Sequence, residues 1–486
     1  MLIRQTKDTF IRRYGNIGYI ANQLTKHDRN YDENGAIFLE HISRLPQSVD
    51  DIVDKLIKVY KDVTREELRS DFIDFINDLE INKYVIIGKS IEELNAKEPF
   101  FSYRSENPKT AKYDFSSDYE KLNLITDSTD FFYDEFRKRP KVFMMQMEIT
   151  SKCNERCIHC YIPTSKKNKG IDMDMDLVQK VLDEASSHGT LQLTISGGEP
   201  FMHKDIHQIL RYAKERDFCI SILSNLTLIE DKDIPLLKEI NPSLIQVSLY
   251  SMNSWEHDSI TLKTGSFNKT KGNIEKLVSA DVPVQISCPV MKINWKSYKN
   301  VLKYAQELKT KAKTDFIMMA QADLNTSNLA NRLSLNETEE LLKEIIKVDT
   351  DYLDFIKTLI PKSIDVEKYK NAALCGVAAD SICISANGDY FPCAGWQGMK
   401  LGNAYNNSLQ DIWDNSEQIK FLRSITTNDF PDCIPCQSKD YCAMCLVRNY
   451  NENGGNMFKV SKHFCEVAKL NKRLVREFYN SSPYKG

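Results

Sequence analysis

Across 486 residues no apolar run approaches the roughly 20 needed to cross a bilayer as a helix, so no spanning segment is expected. Nor is there an excess of either charge. Sixty-five Lys and Arg against 68 Asp and Glu leave a formal net charge of −3. That balance offers no footprint for nucleic acid or an anionic membrane surface, and neither is expected as a partner. There is no internal repeat and no low-complexity tract. The opening Met1-Leu-Ile-Arg-Gln-Thr-Lys7 lacks the apolar core of a secretory signal. A cytoplasmic location is therefore expected, where the 13 cysteines stay reduced and clustered thiols usually bind metal. Hydrophobic content of 42% and charged content of 27% are ordinary for a globular protein, and the length suggests roughly two to four domains.

What is present begins with a small α+β pattern over residues 1–95. Thr9–Tyr14 and Gly18–Asn22 read as two strands around a turn at Gly15-Asn16. Helices are expected over Ala36–Ser43, over Asp50–Tyr60 with Ser48 as N-cap, and from the capping box Thr64-Arg-Glu-Glu67 toward Leu79. Tyr84–Ile87 reads as a closing strand. This arrangement is winged-helix-like, yet residues 1–90 carry 14 Lys and Arg against 15 Asp and Glu, which argues against DNA. Residues 96–140 read as a linker, with a short bridge helix over Tyr133–Lys138.

From residue 141 to 345 strands alternate with helices. The strand candidates are Val142–Ile149, Leu191–Ile195, Cys219–Leu223, Leu244–Leu249, Val282–Ser287 and Asp315–Met319. Such α/β alternation implies parallel strands with right-handed crossovers, and six units fit a partial (β/α)6 TIM-like barrel. Chemistry in such barrels sits at the C-terminal ends of the strands.

Directly after the first strand come Cys153, Cys157 and Cys160, spaced x3 then x2. Three thiolates on one short loop can hold three corners of a [4Fe–4S] cube, leaving one iron open to a small molecule. A zinc site more often shows separated pairs. At the end of the second strand stands Ser196-Gly-Gly-Glu-Pro200, whose Gly197 and Gly198 let backbone approach a ligand without a Cβ between. Together the cysteine loop, the aromatic Tyr161 after it, and Gly197-Gly-Glu-Pro200 closely resemble radical S-adenosylmethionine (radical SAM) enzymes. The resemblance implies that Gly197, Gly198, Glu199 and Pro200 receive SAM, with Tyr161 beside it. It offers Ser224 and Asn225 for ribose or carboxylate, Ser248 for carboxylate, and Gln285 and Met319 for ribose and adenine. At Tyr250 the chain departs from the Ser-Leu-Asp of many relatives. No general base is identified. Cys219 and Cys288 read as buried apolar residues.

Residues 346–486 hold eight further cysteines: Cys375, Cys383 and Cys393 around Gly388, then Cys433-x2-Cys436-x5-Cys442-x2-Cys445, and Cys465. Eight thiolates suffice for two complete four-iron clusters; two zinc sites are the alternative. The spacing resembles the SPASM extension of radical SAM enzymes, except that Cys442 and Cys445 are separated by x2 rather than x3. That resemblance implies a nearer auxiliary cluster on Cys375, Cys383, Cys393 and Cys445, and a distal one on Cys433, Cys436, Cys442 and Cys465. Whether Cys383 closes the nearer cluster is left open. Sulfatase-maturing relatives carry an Asp where this chain has Ala394.

With three [4Fe–4S] clusters and SAM, the resemblance implies a 5′-deoxyadenosyl radical that removes hydrogen from an unactivated carbon. Joined to such a body, the N-terminal domain resembles a leader-peptide recognition module that holds an extended peptide on a sheet edge. The expected function is maturation of a ribosomally made precursor peptide, with a thioether crosslink favoured. Other crosslinks, epimerisation, a sulfatase-type protein maturase and a non-catalytic zinc regulator are the alternatives. A flavodoxin or ferredoxin is the implied reductant.

Overall fold

The computed structural model describes residues 1–103, 135–348, 370–371, 373–442 and 444–481. Most of the expected linker therefore lies outside the described residues; of the bridge helix, residues 135–138 are helical.

The N-terminal region contains two three-stranded sheets. One is ordered β5-β1-β6, from β1 (Leu2–Gln5), β5 (Gln47–Ser48) and β6 (Val85–Gly88). The other is β2-β3-β4, an antiparallel meander of β2 (Thr9–Tyr14), β3 (Ile17–Asn22) and β4 (His27–Tyr31). Helices α1 (Glu33–Glu40), α2 (Val49–Leu56) and α3 (Arg65–Ile81) cover them. The capping box forms as expected: Thr64 accepts from the Glu67 N–H, and the Glu67 side chain accepts from the Thr64 N–H. Ser48 occupies the α2 N-cap but makes no side-chain capping bond. Leu68, Phe72, Ile76 and Leu79 of α3 are buried with Ile3, Ile20, Leu39 and Ile52 in one core.

Six parallel strands form the barrel sheet in the order β12-β11-β10-β9-β8-β7. They are β7 (Met144–Thr150), β8 (Gln192–Gly197), β9 (Cys219–Ser224), β10 (Leu244–Ser248), β11 (Val284–Pro289) and β12 (Lys311–Asp315). The sixth strand corrects the expectation of Asp315–Met319. β12 pairs only with β11 among the described residues, so it is an edge, and its Lys311-Ala-Lys-Thr-Asp315 sequence is polar. The apolar residues beyond it, Met318 and Ala320, are buried in the following loop instead.

Alternation along these strands sorts the side chains into two layers. Met145, Met147, Ile149, Leu193, Ile195, Ile220, Ile222, Ile245, Val247 and Ile286 face the surrounding helices and build the main core. The opposite parity points Gln146, Glu148, Thr194, Ser196, Gln246, Ser248 and Gln285 to the concave side, which is polar. The sheet continues past residue 345. β13 (Ser381–Ile384) pairs parallel with β7, and β14 (Asp389–Phe391) and β15 (Gly402–Asn403) follow antiparallel.

The β2-β3-β4 sheet closes the floor of the barrel. Phe10, Tyr14 and Tyr19 pack with Phe136, Phe143 and Leu191 in a separate apolar cluster. Tyr14 donates to the Gly189 carbonyl at 2.9 Å, Arg12 and Arg44 both pair with Asp217, and Gln23 donates to the Asn241 carbonyl at 2.9 Å. Gly189, Asp217 and Asn241 lie in the turns before β8, β9 and β10. The N-terminal domain thus sits at the end opposite the cysteine loop.

Candidate functional site

The cysteine loop leaves β7 at Thr150, and its three thiols are free. Burial and the neighbouring Glu155 and Cys160 push the Cys157 thiol well above its usual pKa, and burial pushes Cys153 up to about 11. Lys167, on helix Thr164–Lys169, is buried against them. Burial opposes its charge, yet the Cys160, Cys153 and Cys157 sulfurs hold its pKa above the usual value. The thiols are therefore gathered with a resident cation. Deprotonating them, as metal loading requires, converts Lys167 into a counter-charge.

Gly197 and Gly198 serve the loop before they serve any ligand. A Cβ on Gly197 would lie 2.3 Å from the Thr150 carbonyl oxygen, and Gly197 has φ +144°. A Cβ on Gly198 would lie 2.1 Å from the Lys152 carbonyl oxygen. The Gly198 N–H donates to Thr150 O at 2.7 Å and the Glu199 N–H to Lys152 O at 2.8 Å. The end of β8 is thus zipped to the chain just before Cys153, and only glycine permits that approach.

Glu199 is buried and binds inward rather than toward the concave face. It accepts from Ser224 Oγ at 2.8 Å, the Asn225 N–H at 2.8 Å and the Phe201 N–H at 3.2 Å. Burial nonetheless raises its pKa to about 7. Pro200 opens a short 3-10 turn that Glu199 caps. Ser224 and Asn225 are accordingly committed to protein partners; Asn225 Nδ2 donates to Asn154 at 2.9 Å, which pins the cysteine loop from the β9 side. Ser248 ends β10 on the concave face, whereas Gln285 is the second residue of β11, level with Gln246 and further from the cysteine loop. Met319 lies four residues beyond β12 and packs against Gly395 of the C-terminal region.

Sequence reasoning missed a polar bridge across the mouth. Tyr161 donates to Glu148 at 2.9 Å, Gln397 Nε2 donates to Glu148 at 3.0 Å, and Lys166 donates to Gln397 Oε1 at 2.5 Å. Burial lifts the Glu148 carboxyl to about 7. The bridge joins β7, the residue after Cys160, and the loop after Cys393. The only signal in the sequence was Glu148, the one charged residue of β7, on the same parity as Gln146.

The C-terminal thiols separate into two groups. Burial and the nearby Cys445 and Cys375 push Cys393 up to about 12, and Cys375 is likewise raised by burial with Cys445 beside it. Cys383, on β13, is raised by burial with Glu148 and Cys393 as its charged neighbours. In the other group, burial followed by Cys465 and Cys433 raises Cys442 to about 11, and burial with Cys465 and Cys436 raises Cys433. These thiols are free of disulfides and of the type that iron–sulfur clusters take, although among the described residues no three His, Cys, Asp or Glu side chains converge as a metal-holding group.

Comparison with known proteins agrees with this anatomy. Residues 147–305 match the radical SAM superfamily, residues 375–446 the SPASM iron–sulfur cluster-binding domain, and residues 28–85 the coenzyme PQQ synthesis protein D family. The antilisterial bacteriocin subtilosin biosynthesis protein AlbA of Bacillus subtilis is 28% identical over 326 residues, 66% of this chain and 70% of that protein. An AdoMet-dependent heme synthase of Methanosarcina barkeri is 25% identical over 334 residues, 64% of this chain and 93% of that protein. Streptococcus suis SuiB, solved with its precursor peptide SuiA, has the same fold. Its TM-score is 0.61 at 16% identity, over 95% of this chain and 99% of that one. With a three-thiol loop locked to Gly197-Gly-Glu-Pro200 and further thiols beyond the barrel, this chain carries a radical SAM domain, a SPASM region and a PqqD-like N-terminal segment.

Proposed function

We propose that the enzyme matures a ribosomally made peptide, and that the product is a crosslink, with a thioether from Cys sulfur to carbon favoured. The observation that carries this reading is the placement of three parts around one barrel: a sheet edge for a peptide below, the cysteine loop above, and a thiol-rich region beside it. β4 forms the outer edge of its sheet, and α3 runs along it through Arg29–Asp78 at 2.6 Å and Tyr31–Phe75 at 5.1 Å between ring centroids. An extended leader adding to that edge gains backbone hydrogen bonds irrespective of its side chains. AlbA takes part in making a bacteriocin and SuiB binds a precursor peptide, in keeping with a peptide substrate here.

Cys153, Cys157 and Cys160 would hold the SAM-binding [4Fe–4S] cluster. Cys375, Cys393 and Cys445, with Cys383 adjacent, would hold the nearer auxiliary cluster, and Cys433, Cys436, Cys442 and Cys465 the distal one. When bound, cluster and SAM supply one-electron reductive cleavage of the sulfonium and hydrogen-atom removal from carbon. Gly197-Gly-Glu-Pro200, Ser248, Gln285 and Met319 remain the candidates for SAM itself. The chain's own residues orient the reactants: Lys167 balances thiolate charge, and Tyr161, Glu148 and Gln397 fix the mouth of the barrel. A flavodoxin or ferredoxin would supply the electron. Ala394, in place of the Asp of sulfatase maturases, disfavours that substrate class.

The test is co-expression with a short precursor peptide from the same locus, followed by mass spectrometry. A loss of about 2 Da per crosslink is expected from removal of two hydrogens. An unchanged peptide after anaerobic incubation with SAM and reductant contradicts the reading.

A further inference from the structure

We propose that Tyr250 donates a hydrogen bond to Cys157 Sγ and so makes the cluster of the cysteine loop easier to reduce. The inference rests on the reading that Cys153, Cys157 and Cys160 hold that cluster. Tyr250 stands just beyond the end of β10 and is 3% exposed. Its hydroxyl lies 3.9 Å from Cys157 Sγ and 3.4 Å from His159 Nε2. The position is held on every side. The ring packs edge-on to His159 at 5.0 Å and among Ile260, Met291 and Met318. The Tyr250 N–H donates to His257 Nδ1 at 3.3 Å, and its carbonyl accepts from Asn294 Nδ2 at 2.7 Å.

Proton accounting fixes the direction of the bond. A phenol has one proton to give and an oxygen that accepts. His159 is half-buried, and its shielded Nδ1 has no partner among the described residues. A stranded N–H costs more than a stranded lone pair, so the proton belongs on Nε2, where it is donated to the Tyr250 oxygen. With His159 donating, the acceptor left for the phenol proton is the Cys157 sulfur. A donor aimed at a cluster thiolate favours the reduced, more negative state, and hydrogen bonds to sulfur are among the determinants of cluster potential. Tyr250 is on this account a positioning and tuning residue. It touches the ligand sulfur, not the substrate.

Tyr250→Phe removes the proton while keeping the ring. The anaerobically purified full-length variant should retain its iron. The cluster whose electron paramagnetic resonance changes when SAM is added should titrate at a more negative midpoint potential than in the parent. In D2O the reduced parent should show an exchangeable deuteron coupled to that cluster, and the coupling should vanish in Tyr250→Phe. A fully loaded Tyr250→Phe with parental potential and parental deuteron coupling overturns the proposal. If the variant fails to load, absence of the coupled deuteron in the parent overturns it equally. A parent without any SAM-responsive signal removes the cluster reading itself and is a distinct result.

Discussion

A Cβ placed on Gly198 would come within 2.1 Å of the Lys152 carbonyl oxygen and 2.9 Å of the Cys153 Cβ. The glycine pair therefore determines where the first cysteine stands. Gly198→Ala should displace the loop at its root. Iron should fall by about four atoms from a total of about 12 per chain, one four-iron cluster of three, while the SPASM clusters persist. Iron analysis after anaerobic reconstitution checks this; full iron content in the variant would refute it.

Glu148 and Gln397 link the barrel to the loop after Cys393. Gln397→Leu should leave SAM cleavage nearly intact while peptide modification falls about tenfold or more, an effect of misplaced reactants worth over about 1.4 kcal/mol. The ratio of 5′-deoxyadenosine formed to peptide modified is the measurement, and an unchanged ratio would count against the bridge.

Phe10 connects the N-terminal domain to the barrel floor, at 1% exposure. Phe10→Ala should cost about 3–5 kcal/mol, as truncation of a buried aromatic does. Urea denaturation of the cluster-free chain reads it. For the same reason, deleting residues 1–95 should expose Phe143 and Leu191 and impair the enzyme whatever its substrate. A β4-edge variant is the cleaner probe of peptide binding.

His257 is buried and its pKa is lowered to about 4 by burial, with Asp258 opposing. A histidine held neutral in the fold contributes stability that is full above its unfolded pKa of about 6.5 and is lost as pH falls toward 4. Glu148, Glu155 and Glu199, raised to about 7, run the other way through part of this window. The comparison must therefore be with His257→Phe. The stability advantage of the parent over this variant should shrink by up to about 1.4 kcal/mol per unit of falling pH below 6.5. A constant difference would show that His257 is not held neutral.

Much of this was readable in the chain because the barrel strands are short apolar runs with helices between them. β7 to β11 fall where alternation put them. β12 did not, because an edge strand is polar and the apolar run after it belongs to a buried loop. β4 was likewise hidden by its polar His27-Asp-Arg-Asn-Tyr31 sequence. The motif residues were visible, but the role of Gly197 and Gly198 in clearing backbone for Thr150 and Lys152 was not, since it depends on the pairing of β7 with β8. Lys167 and Gln397 carry no motif; only their meeting with distant residues marks them.

SAM cleavage depends on the thiols of Cys153, Cys157 and Cys160. Purified without oxygen, reduced and given SAM, the parent should form 5′-deoxyadenosine, and a chain with all three replaced by alanine should form none while keeping about eight of about 12 irons. SAM cleavage at the parental rate in the triple variant would contradict the account.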